Sequence, residues 1–104
     1  MSPASVELSE PLRRALNHPL RRRILRDIRD DGGSKSPRQL SIALGEPVAN
    51  VSYHARVLSD AGAVALTGTR SVRGSIEHFY ASTIAENAAA AELLESTAAE
   101  DRGK

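Results

Sequence analysis

The sequence predicts a mainly α-helical domain with a small β-hairpin, in the order α-α-α-α-β-β-α. Apolar residues recur at helical spacing as far as Ala61, and two of the helical segments are separated by little more than Gly45. After Gly62 the spacing changes to the alternation that is typical of strands. Because 104 residues suffice for one core, we expect a single domain over residues 1–104.

The first two helices are predicted from apolar stripes. The first, over residues 6–16, has a face of three leucines: Leu8, Leu12 and Leu16. Asn17 is a suitable N-cap, and Pro19 falls in the first turn of the second helix, where its missing N–H is harmless. The inner stripe of that helix has four members: Leu20, Ile24, Leu25 and Ile28. Gly32 and Gly33 end it.

The third helix opens with a capping signal. Ser36 is the expected N-cap, Pro37 takes the first helical position, and Gln39 completes a capping box. We expect three buried residues on this helix: Leu40, Ala43 and Leu44. Gly45 permits the left-handed backbone with which a chain leaves a helix sharply.

A fourth helix begins at Pro47 and runs to about Ala61, where Gly62 stops it. A helix, a short turn with glycine and a second helix form the spacing of a helix-turn-helix motif. We place four residues on its inner face: Val48, Val51, Ala55 and Leu58.

A hairpin and a last helix complete the chain. Two strands are predicted at 63–67 and 76–80, with a hairpin tip at 68–75. Ser82 or Thr83 caps the last helix, and Glu86 lies near its first turn. Five residues fall on one face of that helix: Ile84, Ala88, Ala91, Leu94 and Ala98.

Composition excludes several classes of function. The chain has no Cys, which rules out a thiolate metal site and a Cys nucleophile. No apolar run approaches a membrane span and no signal pattern opens the chain, so we expect a cytoplasmic protein that does not enter a membrane. The three His are scattered, and neither a nucleophile–base pair nor a phosphate loop is visible. We therefore expect no enzymatic activity, no cofactor and no bound metal.

Charge is unevenly distributed along the chain. Residues 11–56 carry ten Lys or Arg against four acids, whereas residues 75–104 carry six acids against two bases. A basic middle indicates that one face meets a polyanion. The alternative is that five arginines are merely the solvated side of the second helix: Arg21, Arg22, Arg23, Arg26 and Arg29.

Three segments, in order, resemble the ArsR-type winged helix-turn-helix regulators. Residues 47–62 resemble the family's Val-Ser-x-His-x-x-x-Leu recognition helix and its following glycine. Residues 16–25 look like its Leu-x-x-Pro-x-Arg-x-x-Ile-Leu second helix, and residues 72–80 like its wing and returning strand. Ala55 stands where the family usually carries Leu, and the Cys or late His ligands of its metal sensors are missing. The resemblance implies a DNA-binding fold without the metal switch, and repression rather than activation.

In such a fold the fourth helix would read the major groove, where Arg can bind guanine and Asn can bind adenine. The third helix's first turn would suit phosphate, and the basic hairpin tip a minor groove or phosphate. The predicted DNA-binding residues are Ser36, Arg38, Gln39, Ala49, Asn50, Ser52, Tyr53, His54, Arg56, Arg70 and Arg73. Alternatives are a capping role for Ser36, packing roles for Tyr53 and His54, and solvated arginines at the tip.

With only two Tyr and one Phe, the core is thin, and this favours a homodimer. The predicted interface comprises Leu8, Leu12, Ile84, Ala88, Ala91 and Leu94. The alternative is that this stripe closes the core of one chain. The sequence thus predicts a DNA-binding transcriptional regulator, a repressor acting as a homodimer on a palindromic operator of double-stranded DNA. Its alternative is a winged-helix module for protein interaction, and a small-molecule or protein effector stays open.

Overall fold

The computed structural model describes residues 8–102, so the predicted helical start at Val6 lies outside the described residues. The elements are α1 (Glu10–Ala15), α2 (Pro19–Asp31), α3 (Pro37–Leu44), α4 (Val48–Asp60), β1 (Val64–Val72), β2 (Ser75–Ser82), α5 (Ala88–Ser96) and α6 (Ala98–Arg102). This order confirms the predicted winged helix-turn-helix fold. The last helix differs, because it is divided at Thr97 into α5 and α6.

Local capping chemistry sets the ends of the helices. The capping box at Ser36 and Gln39 is present as predicted, with both reciprocal hydrogen bonds. The N-cap of α2 is His18 rather than Asn17, and its Nδ1 accepts a hydrogen bond from the backbone N–H of Leu20 at 3.1 Å. Helix α3 ends at Gly45, whose φ of 70° is left-handed, and this conformation turns the chain toward α4.

The prediction that Ser82 or Thr83 caps the last helix is wrong. Strand β2 continues to Ser82, which pairs with Val64, so the chain is still part of the sheet at that point. Helix α5 instead begins after Asn87, whose side-chain oxygen accepts from the N–H of Ala90 at 2.9 Å.

Helix α2 lies at the centre of the core, and α3 and α4 pack against it. The residues buried almost completely there are Leu16, Ile24, Leu25, Ile28, Leu40, Val51 and Leu58. The prediction for α3 was too broad, because Leu40 alone of its three candidates is fully buried and Ala43 is exposed. Val48 was also placed wrongly: it is 49% exposed at the first turn of α4, which faces the hairpin.

The hairpin is longer than predicted. Val72 pairs with Ser75, so the turn consists of Arg73 and Gly74 alone. Both have positive φ, 51° and 82°, which is the geometry of a type I′ turn and suits the twist of a two-residue hairpin. Lys35 forms an isolated antiparallel β-bridge with Tyr80 of β2: its N–H donates to the Tyr80 carbonyl and its carbonyl accepts from the Tyr80 N–H, both at 2.9 Å.

Several arginines of α2 hold the fold together. Arg22 donates from Nε and Nη2 to the carboxylate of Asp101, both at 2.8 Å, and Arg26 bonds the same carboxylate at 2.8 Å. Arg23 donates to the carbonyl of Leu44 at 3.0 Å, beside the turn between α3 and α4. Neither DNA contact nor simple solvation accounts for these three side chains. They tie α2 to α6 and to the helix-turn-helix motif.

The predicted face of the last helix was correct for Leu94 and wrong for Ala88 and Ala91. Ala90 and Leu94 are the buried residues of α5, whereas Ala88 and Ala91 are exposed and Ile84 precedes the helix. Most residues of the predicted dimer interface are not available to a second chain. Leu12, Ile84 and Leu94 are buried in the chain's own core, and Leu8 packs against this core half-buried. The alternative, that the stripe closes the core of one chain, therefore holds for these residues.

Candidate nucleic-acid interface

Helix α4 has one buried face and one open face. Val51, Ala55 and Leu58 fasten the helix to the core. The predicted DNA-binding residues on the open face are Ala49, Asn50, Tyr53 and Arg56, which are exposed, and Ser52, which is half-buried. Tyr53 is 58% exposed, so its hydroxyl and ring are accessible and the core alternative does not apply. The open face therefore carries hydrogen-bonding groups of the types that read base edges.

Of the three phosphate contacts predicted at the first turn of α3, two are exposed and one is buried. Arg38 and Gln39 are exposed, whereas Ser36 is fully buried. The Ser36 hydroxyl donates to Glu77 and accepts from the N–H of Gln39 at 3.2 Å, so its hydrogen is already committed. Ser36 thus serves as the cap of α3, and its hydroxyl hydrogen is not available to a ligand.

The fold brings three elements together beside this turn. A cleft of about 340 Å³ is lined by Arg38 of α3, Ser52 of α4 and Arg73 of the hairpin, among other residues. A neighbouring cleft of about 400 Å³ contains Arg38, Arg70 and Arg73 with one carboxylate, Glu77. Three guanidinium groups against one carboxylate leave a net positive charge, which suits a phosphate.

Arg70 is held in place at the edge of this cleft. Its Nη2 donates to Oε1 of Glu77 at 2.7 Å, and its guanidinium carbon lies 5.4 Å from the centre of the Phe79 ring. The hydrogen bond from Ser36, followed by that from Arg70, lowers the pKa of Glu77. The carboxylate is therefore ionised at neutral pH.

Sequence reasoning missed Glu77. Arg70 and Glu77 are cross-strand partners, a pairing that favours opposite charges. The predicted strands were too short to include Arg70, and so they did not reveal the pair. A two-residue turn at Arg73 and Gly74, read from the sequence, would have set the correct register.

His54 turns away from the open face of α4. Its ring centre lies 4.4 Å from that of His18 at the N-terminus of α2. Burial lowers the pKa of His54, with the positive field of His18 and Arg21 adding to the effect and Glu46 opposing it. Burial also lowers the pKa of His18, which must stay unprotonated at Nδ1 to cap α2. This arrangement favours the packing alternative for His54.

A short helix, a glycine turn, a second helix with an open polar face and a basic hairpin beside it define a winged helix-turn-helix domain. The chain belongs to the family of helix-turn-helix domains, whose model matches residues 16–67, and this family includes ArsR-type regulators. The match runs from the end of α1 into β1, so it contains both helices of the motif. Membership makes DNA the partner that the fold supports. No curated protein compared with the chain matches it.

Two structural features are absent from residues 8–102. No helix in that range is both long and apolar enough to cross a membrane. The same residues hold no group of three or more His, Asp or Glu side chains placed to bind a metal ion.

Proposed function

We propose that this protein is a sequence-specific transcriptional repressor that binds double-stranded DNA as a homodimer on a palindromic operator. The observation that carries the proposal is the open polar face of α4 beside the cleft that Arg38, Ser52 and Arg73 share. A helix fits the major groove, and the hairpin at its side reaches the neighbouring backbone or minor groove. Repression is the part that rests on the resemblance to ArsR-type regulators alone.

Each exposed side chain of α4 has a chemical role in this proposal. Arg56 can donate two hydrogen bonds to guanine, and Asn50 can bond both hydrogen-bonding groups of adenine. The Ala49 methyl can contact a thymine methyl, while Ser52 and Tyr53 can reach bases or phosphates. Four further exposed residues, on α3 and the hairpin, would contact phosphates: Arg38, Gln39, Arg70 and Arg73.

Charged side chains in the groove between α1 and α5 support a two-fold dimer. Such an interface uses the same patch on both subunits, so the patch must complement itself. Arg13 of α1 and Glu92 of α5 both line a groove of about 880 Å³ between these helices. The exposed Ala88 and Ala91 would let a second α5 approach closely. Two recognition helices would then lie about 34 Å apart, one turn of DNA.

The oligomeric state can be tested by sedimentation velocity over a micromolar range of concentration. We expect a dimer for the native chain and a monomer for Ala91→Arg, because the long charged side chain would prevent close approach. Ala85→Arg, also on an exposed residue but ahead of α5, is the matched control and should stay dimeric. A native chain that sediments as a monomer throughout would contradict the dimer.

DNA recognition is tested with a duplex that the native protein enriches from a random-sequence library, against a scrambled duplex of the same length. Replacing Arg56 and Arg73 together by Ala should weaken binding to the enriched duplex by about 1–3 kcal/mol for each lost contact. Arg102→Ala removes one exposed charge on α6 and should change little.

Enrichment itself decides the function. If the native protein enriches no sequence at about 150 mM salt, sequence-specific binding is refuted. If the variant with both Arg56 and Arg73 replaced by Ala keeps the native activity in cells, DNA binding is not the function. The protein would then be a winged-helix module that binds proteins. The exposed Ile42 on α3 is the feature such a module would use.

A further inference from the structure

Glu77 joins two parts of the proposed DNA surface. Its Oε2 accepts the hydroxyl hydrogen of Ser36 at the start of α3, and its Oε1 accepts from Nη2 of Arg70 on the hairpin. The Glu77 side chain is only 11% exposed, whereas that of Arg70 is 62% exposed. The carboxylate thus lies beneath the arginine. A negative charge beside a phosphate-binding cleft weakens DNA binding by itself, so its position calls for a physical reason.

Ser36, the residue to which Glu77 is bound at the start of α3, is itself held in place by hydrogen bonds. Ser36 is fully buried, its N–H donates to the side-chain oxygen of Gln39 at 3.0 Å, and its hydroxyl accepts from the N–H of Gln39. Its hydroxyl hydrogen is therefore directed to Glu77. Lys35, the residue before Ser36, is also paired with Tyr80 of β2. The start of α3 is thus joined to strand β2 at two points, Glu77 and Tyr80.

We propose that Glu77 is a positioning residue for DNA recognition, which holds the guanidinium group of Arg70 in a fixed orientation beside the first turn of α3. This inference rests on the proposed DNA-binding function. One N–H of the Arg70 guanidinium is bound to Glu77, and the others stay available to a phosphate. An arginine that is held before DNA arrives loses less conformational entropy on binding. The carboxylate of Glu77 also offsets the positive charge of Arg70, and this compensation lowers the affinity for DNA of any sequence.

The variant Glu77→Gln separates these effects, because it keeps the shape of the side chain and removes the charge. Binding to the enriched duplex should weaken about fivefold, which lies within the entropy cost of ordering one flexible side chain on binding. Binding to the scrambled duplex should stay equal or strengthen, since a negative charge is gone. The binding constant for the scrambled duplex should also fall more steeply with salt concentration, by up to the amount that about one additional phosphate contact contributes. Selectivity between the two duplexes therefore falls.

Two further proteins make the test specific. Glu86→Gln removes an exposed carboxylate between β2 and α5 and should leave selectivity unchanged. In the background of Arg70→Gln, Glu77→Gln should cause no further loss of selectivity, because Glu77 acts through Arg70. Circular dichroism and thermal unfolding verify that each variant is folded.

The outcomes are distinguishable. If the native protein enriches no duplex, the proposed function fails, and this inference fails with it. If the native protein is selective and Glu77→Gln keeps its selectivity within about twofold, well inside one recognition contact, the function stands and the role of Glu77 is refuted. Equal weakening of both duplexes by the folded variant would also refute it, since loss of positioning should lower selectivity between the two duplexes. A full effect in the Arg70→Gln background would exclude action through Arg70.

Discussion

Replacing Asp101 by Asn removes the charge at the point where α6 is tied to α2. Asp101 is 1% exposed at its side chain and accepts from Arg22 and Arg26, all three contacts at 2.8 Å. The Arg22 side chain is itself only 9% exposed. The amide has nearly the same shape as the carboxylate. The substitution therefore leaves two arginines, one of them buried, without their counter-charge.

The expected loss of stability follows from that burial. Breaking a buried ion pair from one side costs about 3–5 kcal/mol, because the remaining charge stays desolvated. Arg22 keeps one hydrogen bond, to the carbonyl of Leu16 at 2.9 Å, so we expect the lower end, about 3 kcal/mol. For a domain of this size each kcal/mol lowers Tm by about 4–8 °C. The variant should thus melt at least about 12 °C below the native chain.

The pH dependence provides an independent measure. The hydrogen bond from Arg22, followed by that from Arg26, lowers the pKa of Asp101 from 3.8 to about 2. Since the folded pKa lies below the unfolded one, the stabilisation is complete above pH 3.8 and is lost as the pH falls toward 2. It amounts to about 2 kcal/mol. Asp101→Asn should lack this part of the acid dependence.

Urea unfolding of both proteins at several pH values between 7 and 2 is the assay. Glu100→Gln is the matched control, because Glu100 is the exposed neighbour on α6, and we expect a change within about 0.5 kcal/mol. A loss below about 1 kcal/mol for Asp101→Asn would show that α6 contributes little and that the arginines find other partners. If the free energy of unfolding of Asp101→Asn falls with pH as steeply as that of the native chain, the lowered pKa assigned to Asp101 is refuted.

Two further predictions concern the hairpin turn and the histidine pair. Gly74→Ala should destabilise the chain by about 1 kcal/mol or more in urea unfolding, because a Cβ is strained at φ 82°, whereas Gly33→Ala, in open space, should not. Stability should also fall as the pH drops below 6.5, since the lowered pKa values of His18 and His54 mean that the unfolded chain binds protons more readily. The double variant His18→Asn, His54→Gln should lose this dependence while α2 keeps a cap, because asparagine is itself a favourable N-cap residue; an unchanged slope would assign it to other groups.

Features that depend on near neighbours in the chain could be predicted. Ser36 and Gln39 form a capping box through contacts three residues apart, and Gly45 ends α3 through its own backbone freedom. The inner stripe of α2 also follows from spacing alone. The open face of α4 was predicted for the same reason, apart from Val48 and His54, whose surroundings are supplied by other elements.

The sequence by itself determined the helix-turn-helix motif and its polar helix face, because helical spacing and capping act over a few residues. Only the tertiary structure decided which polar side chains stay open to a partner. Arg22 and Asp101 are 79 residues apart in the chain, and Ser36 and Glu77 are 41 apart. Spacing in the sequence carries no information about such pairs. The fold brings them together: an ion pair with Asp101 keeps Arg22 buried, a hydrogen bond to Glu77 commits the buried Ser36, and the ion pair with Glu77 holds Arg70 at the surface.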